Sequence, residues 1–333
     1  MNIKHLIAVL VLMLITANIS AQDKRIIEDY NLEMVQDVLL SDYEIFRPTS
    51  SIDMTEEGKI IFFDFARFEL VVYDMQAGNF QFIGNRGRGP KEFGQIFDLK
   101  IDGNDHVFLI DTGNNKIVKW HVEGEYIGEM SVGSRFIRPA RFALCEESDI
   151  MYILSSQYGR DGILHQYHKN GALNQSFHKI KKQEERLVYY TDGTLACDEN
   201  ENLYYATRYV NKIKKYNKEG KLIYSIPVYD SEPNEEMLRV NGRYTSLNPS
   251  AIRYTSNIYY LDGKLYVSYS GLPKNYRYRF IDVYLESQQE YLHSIQLPYE
   301  FRSFVMTKNR IAIIREDETE EMYLTIYKYK HND

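Results

Sequence analysis

The sequence predicts an all-β fold, a six-bladed β-propeller of four-stranded antiparallel blades, on three observations. Tyr73, Trp120, Tyr167 and Tyr216 each end a strand-like run and are followed almost at once by a turn glycine, Gly78, Gly124, Gly171 and Gly220. These aromatics stand 47, 47 and 49 residues apart, and a fixed period of this length marks stacked supersecondary units rather than one mixed core. Composition agrees, with 29 Tyr and 16 Phe against only 8 Pro, which favours strands.

Residues 1–21 read as a secretory signal peptide. Lys4 and His5 precede an apolar run from Leu6 to Ile15, and Ile19 and Ala21 fit the −3 and −1 positions of a cleavage site. The run is far short of the roughly 20 residues that span a bilayer. The expectation is a secreted or periplasmic protein cut near Ala21, with no cysteine at the cut for a lipid anchor and no later apolar run of spanning length, hence no transmembrane anchor. Residues 22–333 are expected to form one propeller domain, since a closed repeat array reaches this size as a single domain. The formal charge of −7 argues against nonspecific nucleic-acid binding.

Each unit reads as strand A, polar turn, strand B, loop, strand C, glycine turn, strand D. The second is clearest: Asp98–Ile101, the turn Asp102–Asp105, Val107–Asp111, the loop Thr112–Lys116, Ile117–Trp120, then Glu125–Ile127 after Gly124. Short β-rich runs bounded by Gly, Asn and Asp are hairpin signals. The pattern returns at Ile60–Asp64 with Leu70–Tyr73, Ile150–Leu154 with Ile163–Tyr167, and Leu203–Ala206 with Ile213–Tyr216. Two weaker copies are Leu265–Tyr269 with Phe280–Tyr284 and Ile311–Ile314 with Tyr323–Tyr327. The last copy has three strands before the sequence stops. The segment Leu32–Leu40 is expected to supply the fourth, which would close the ring and remove an exposed edge.

Cys145 and Cys197 sit at equivalent places, each ending the first strand of its unit. Sheets packed face to face lie about 10 Å apart, while a disulfide needs Cα atoms within roughly 7 Å. This spacing predicts two buried thiols rather than a bond.

The stretch Phe82–Phe93, Phe-Ile-Gly-Asn-Arg-Gly-Arg-Gly-Pro-Lys-Glu-Phe, with Asp98–Asp102 and Val107–Ile117 after it, resembles the NHL-type repeat of secreted bacterial six-bladed propeller proteins. The resemblance covers the architecture throughout and the motif once. It implies binding or scaffolding rather than any one reaction.

The glycines of Gly84–Pro90 are not read as a phosphate cradle. Such a site needs a helix opening after the glycines, whereas Pro90 and Phe93 lead into the next strand. Asp198–Asn202 mimics the start of a calcium loop but has no Gly at the sixth position and Tyr209 at the twelfth, where a bidentate Glu is required. His165 and His168, three apart on a strand, point to opposite faces. No HExxH, paired CxxC or GxSxG occurs, so neither zinc nor serine-hydrolase chemistry has a motif. Asp64 and Asp111 hold matching places at the ends of strands B, but Ser155 and Thr207 stand there in the next units. Capping of the B–C loop accounts for both aspartates.

In this topology the A–B and C–D turns share one rim, which is short and acidic: Glu56-Glu57, Asp102 with Asp105, Glu146-Glu147, Asp198 with Glu199. The D–A connections and B–C loops share the other. That rim carries the candidate ligand-binding residues Arg67, Arg86, Arg88, Arg138, Tyr158, Arg160, Arg208, Tyr209, Arg243 and Tyr276, with insertions at Pro227–Ser256 and Ser268–Tyr276. Long loops on a rigid scaffold are a common seat of function. The resulting expectation is a monomeric, non-catalytic module that binds an anionic or carbohydrate-like ligand, or a protein partner, around the central channel without a cofactor. The competing class is a metal-dependent hydrolase or lyase, lactonase-like, with calcium or another divalent ion at the channel mouth.

Overall fold

The computed structural model describes residues 25–131, 139–145, 148–159, 162–179, 192–229, 238–241, 244–247, 254–269 and 278–329. After β1 (Glu33–Leu39), blade one is β2 (Pro48–Met54), β3 (Lys59–Asp64), β4 (Glu69–Asp74) and β5 (Asn79–Ile83). Two short strands follow, β6 (Asn85–Arg86) and β7 (Glu92–Phe93), paired in parallel. Blade two is β8 (Ile96–Ile101), β9 (His106–Asp111), β10 (Lys116–His121) and β11 (Tyr126–Ser131). Blade three is β12 (Pro139–Leu144), β13 (Ile150–Gly159), β14 (Gly162–His168) and β15 (Leu173–Phe177). Blade four is β16 (Gly193–Cys197), β17 (Leu203–Thr207), β18 (Lys212–Tyr216) and β19 (Leu222–Pro227). A hairpin of β20 (Leu238–Asn241) and β21 (Tyr244–Leu247) precedes blade five, which is β22 (Ile258–Leu261), β23 (Lys264–Tyr269), β24 (Tyr278–Leu285) and β25 (Glu290–Phe301). The sixth sheet combines β26 (Ser303–Met306), β27 (Arg310–Glu316) and β28 (Met322–Lys328) with β1, in the order β1-β28-β27-β26. Among the described residues, every four-stranded sheet is antiparallel, and the innermost strands β26, β2, β8, β12, β16 and β22 follow one another around the axis.

The repeat in the sequence becomes a register in the structure. Tyr73 lies opposite Ile60, Trp120 opposite Val107, Tyr167 opposite Met151, Tyr216 opposite Leu203, Tyr284 opposite Leu265 and Tyr327 opposite Ile311. All six aromatics are buried. The turn that follows needs a left-handed residue: Gly78, Gly124, Gly171 and Gly220 have φ between 66° and 93°, and Gln289 takes that conformation (φ 58°) in blade five. Glycine adopts it without a Cβ clash.

Successive side chains of a strand point to opposite faces, so the middle strands must be apolar throughout. Ile60 and Phe62 pack toward blade six while Ile61 and Phe63 pack toward blade two. Among the described residues the buried apolar side chains fall into six clusters, one at each blade-to-blade interface. The core is thus a ring of interfaces around the axis. No helix among the described residues is long and apolar enough to cross a membrane.

The cysteines correct the sequence reading. Cys145 and Cys197 are joined by a disulfide, with Cα atoms 5.1 Å apart. The face-to-face spacing of about 10 Å applies to sheets stacked in parallel planes. Propeller blades radiate, and their innermost strands converge on the axis. Equivalent ends of neighbouring inner strands therefore come within bonding range.

Candidate functional site

The turns between the first and second strands meet at one end of the channel. A cavity of about 430 Å³ there is lined by Glu56, Glu57, Asp102, Asp105, Asp198 and Glu199 among others, which were expected on an acidic rim; Glu146 and Glu147, expected there too, lie outside the described residues. Deeper in, carboxylates tie neighbouring inner strands together. Asp53 accepts from the Ile101 N–H at 2.9 Å, and Asp98 from the Ser51 hydroxyl at 2.6 Å and the Phe142 N–H at 2.9 Å. Lys100 lies 4.7 Å over the Tyr259 ring. Burial disfavours its charge, but the Tyr259 oxygen, Asp53 and Asp98 outweigh this and hold its pKa above the ordinary lysine value. These groups satisfy one another. Asp198 likewise accepts from the Asn200 and Asn202 backbones and the Tyr204 hydroxyl, as a turn-capping aspartate does. Among the described residues, no three His, Cys, Asp or Glu side chains converge as a metal site requires.

At the other end, the connection from blade one to blade two builds a different surface. Gly84 has φ 80°, and a Cβ there would lie 2.3 Å from the Phe93 ring. The loop then wraps around its own carboxylate: Glu92 accepts from the Arg88 and Gly89 N–H groups, both at 2.8 Å. The Gly89 N–H first and the Arg88 N–H second hold the Glu92 carboxyl below the usual range. The backbone slot that an external phosphate would use is therefore filled from within. Asp111 accepts from the backbones of Gly94, Gln95 and Asn114 and from the Asn114 amide, which reaches on to the Gly87 carbonyl. Asp64 plays the same part in blade one, accepting from Arg47 and Ala66. Both aspartates are loop caps.

This scaffold encloses a cavity of about 600 Å³ lined by Arg47, Phe65, Phe68, Arg86, Gly87, Arg88, Phe93, Gly94, Gln95, Gly113 and Asn114. Arg86 lies 4.6 Å over the Phe68 ring. Of the candidate residues from the sequence, Arg86 and Arg88 come together here. Arg67 does not: it is bound to Glu69 at 2.5 Å and Glu44 at 3.2 Å and lies over the Phe82 ring. Arg208 lies at the same rim on blade four, buried, with Nη1 donating to Asp192 at 2.9 Å; Tyr209 follows it, half-buried. Arg138, Arg160, Arg243 and Tyr276 lie outside the described residues, as does the Tyr158 side chain, whose backbone is in β13. Arg47, Phe65 and Phe68 are additions. Arg47 precedes the first recognisable unit, but its carbonyl accepts from Phe65 as the Gln95 carbonyl accepts from Thr112. Aligning those two loops would have placed Arg47 on the rim.

Solved structures that resemble this chain are propellers at low identity, which speaks for the fold alone. A Bacteroides fragilis protein described as exported matches with a TM-score of 0.60 at 13% identity, over 90% of this chain and 96% of that one. A member of the DUF4221 family from Bacteroides vulgatus matches with a TM-score of 0.59 at 11% identity, over 93% and 100%. Virginiamycin B lyase from Staphylococcus aureus matches with a TM-score of 0.55 at 12% identity, over 88% and 99%. No curated protein matches the chain significantly. Residues 41–293 match the sequence model of the family DUF5128, described as a 6-bladed beta-propeller, and with six sheets radiating from one axis the chain belongs to that family.

Proposed function

We propose that the protein is an exported binding module that takes an anionic or acidic carbohydrate-like ligand on its long-loop rim, with the cavity between blades one and two as the primary contact. One observation carries this reading. Arg47, Arg86 and Arg88 line a single cavity, and among the described residues none of them has a carboxylate partner. Three guanidinium groups with no carboxylate partner among the described residues, beside Phe65 and Phe68, offer forked donors and aromatic faces to one ligand. The neighbouring Arg67, by contrast, is neutralised by two glutamates. Export is supported by the leader-like residues 1–21, by the disulfide, which persists in oxidising compartments, and by the likeness to a protein described as exported.

The test is calorimetric titration with acidic oligosaccharides, oligogalacturonate and a sulfated oligosaccharide, against a neutral oligosaccharide of equal length. The variant with Arg47, Arg86 and Arg88 all changed to Ala should fold normally, because all three are exposed, and should lose at least about tenfold in affinity. Equal affinity in the variant, or equal binding of the neutral sugar, rejects the proposal.

A further inference from the structure

Arg208 follows β17 directly and is held from both sides: its N–H donates to the Asp192 carbonyl and its own carbonyl accepts from the Tyr254 N–H, both at 2.8 Å. The residue is 6% exposed. One guanidinium nitrogen, Nη1, is taken by Asp192. The other two, Nε and Nη2, are closed off from water and have no hydrogen-bond partner among the described residues. Tyr278 opens β24 at the same rim of blade five; it is fully buried, and its hydroxyl is also without a partner among the described residues. After burial, which opposes the Arg208 charge, and Asp192, which favours it, the Tyr278 phenol is the next influence on the raised Arg208 pKa.

Buried polar groups in native structures are nearly always satisfied, and each orphan calls for an explanation. Leaving donors of a charged group unmade is among the costlier defects a fold can carry. Here the unpaired atoms are not scattered. Nε and Nη2 form the side-on edge of the guanidinium, whose two parallel N–H groups match the two oxygens of a carboxylate. The Tyr278 hydroxyl, at the same rim of the neighbouring blade, is a third donor without a partner among the described residues.

We propose that the Nε–Nη2 edge of Arg208, with the Tyr278 hydroxyl, is a receptor for a carboxylate group between blades four and five. The charge balance selects a monoanion. Asp192 already offsets part of the Arg208 charge, so a dianionic phosphate would meet one half-neutralised cation and one neutral hydroxyl. A single carboxylate completes the set, and in so enclosed a place its hydrogen bonds are strengthened. This site goes beyond the cavity of blades one and two, uses none of its residues, and stands or falls separately from it.

The experiment uses acetate, the smallest ordinary carboxylate after formate, on the purified protein labelled with ¹⁵N at arginine. The Arg208 Nε–H resonance, assigned by its absence in Arg208→Lys, should shift saturably with sodium acetate and not with sodium chloride of equal ionic strength. Tyr278→Phe removes a hydroxyl that has no partner among the described residues, so it should fold, and should weaken acetate binding about tenfold. No saturable shift up to about 0.1 M acetate, a dissociation constant far weaker than any dedicated site needs, overturns the proposal. Unchanged acetate affinity in Tyr278→Phe removes Tyr278 from the receptor, and tighter binding of inorganic phosphate than of acetate overturns the monoanion assignment. Should Arg208→Lys fail to fold, the Nε–H resonance is assigned through bonds from the Arg208 backbone in uniformly labelled protein, and the wild-type titration and Tyr278→Phe still decide.

Discussion

Arg25 brings a charge into the interior at the outer side of blade five. Its guanidinium is bound to Asp282 and donates to the Ser294 hydroxyl at 3.0 Å, and it lies 3.9 Å over the Tyr269 ring. Both charged side chains are all but inaccessible, at 2% and 0%. Breaking such a pair from one side strands the other charge, so Arg25→Ala should cost about 3–5 kcal/mol, read as a lower urea midpoint with an unchanged m-value. An unchanged midpoint would show that the pair contributes nothing. His178 makes a second prediction. Burial first, then Lys214, lowers its pKa from 6.5 to about 3, and its ring is hydrogen-bonded to the Tyr216 hydroxyl. Between those two pH values the unfolded chain binds a proton that the folded chain refuses. His178 therefore favours the fold fully above about pH 6.5, and that contribution falls away as pH drops toward about 3, by at most about 1.4 kcal/mol per pH unit. Urea midpoints measured across this range should fall with pH less steeply in His178→Gln than in the wild type. At this scale the loop-capping roles of Asp64 and Asp111 were legible from strand-end position alone. Which arginines are free was not, because the partners of Arg67 come from Glu44 and Glu69, and the side chain of Glu44 is brought there by tertiary structure.

Among elements, the strands and their order were readable because one aromatic recurs at one register position in each blade and, in blades one to five, a left-handed turn follows it. Strand periodicity says nothing about how blades splay, and that is why the bond between Cys145 and Cys197 was missed. The bridge links the inner strands of blades three and four across 52 residues. Loop-closure entropy for that separation gives a stabilisation of about 4 kcal/mol. Replacing both cysteines by serine should lower stability by about that amount or somewhat less, measured by denaturant titration. Mass analysis with and without reductant checks the bond itself: two free thiols in the protein purified without reductant would contradict it.

For the whole molecule, the sixth sheet draws on residues from far ends of the sequence, Glu33 facing Lys328 and Leu39 facing Tyr323. Deleting residues up to Leu39 should leave β28 with an open edge, which templates pairing with other chains. The expected outcome in size-exclusion chromatography is soluble aggregate in place of the single species given by the intact chain, and an equally monodisperse deletion variant would show that β1 is dispensable. The same pairing also sets a timetable. A chain that emerges amino-terminus first holds β1 without its partner until β28 has appeared. Blades one to five can assemble in sequence during that interval, but the ring stays unfinished. Contacts this distant in sequence form slowly, so pairing of β1 with β28 is the last step in completing the ring, and the period of greatest exposure to proteases and to neighbouring chains falls just before it.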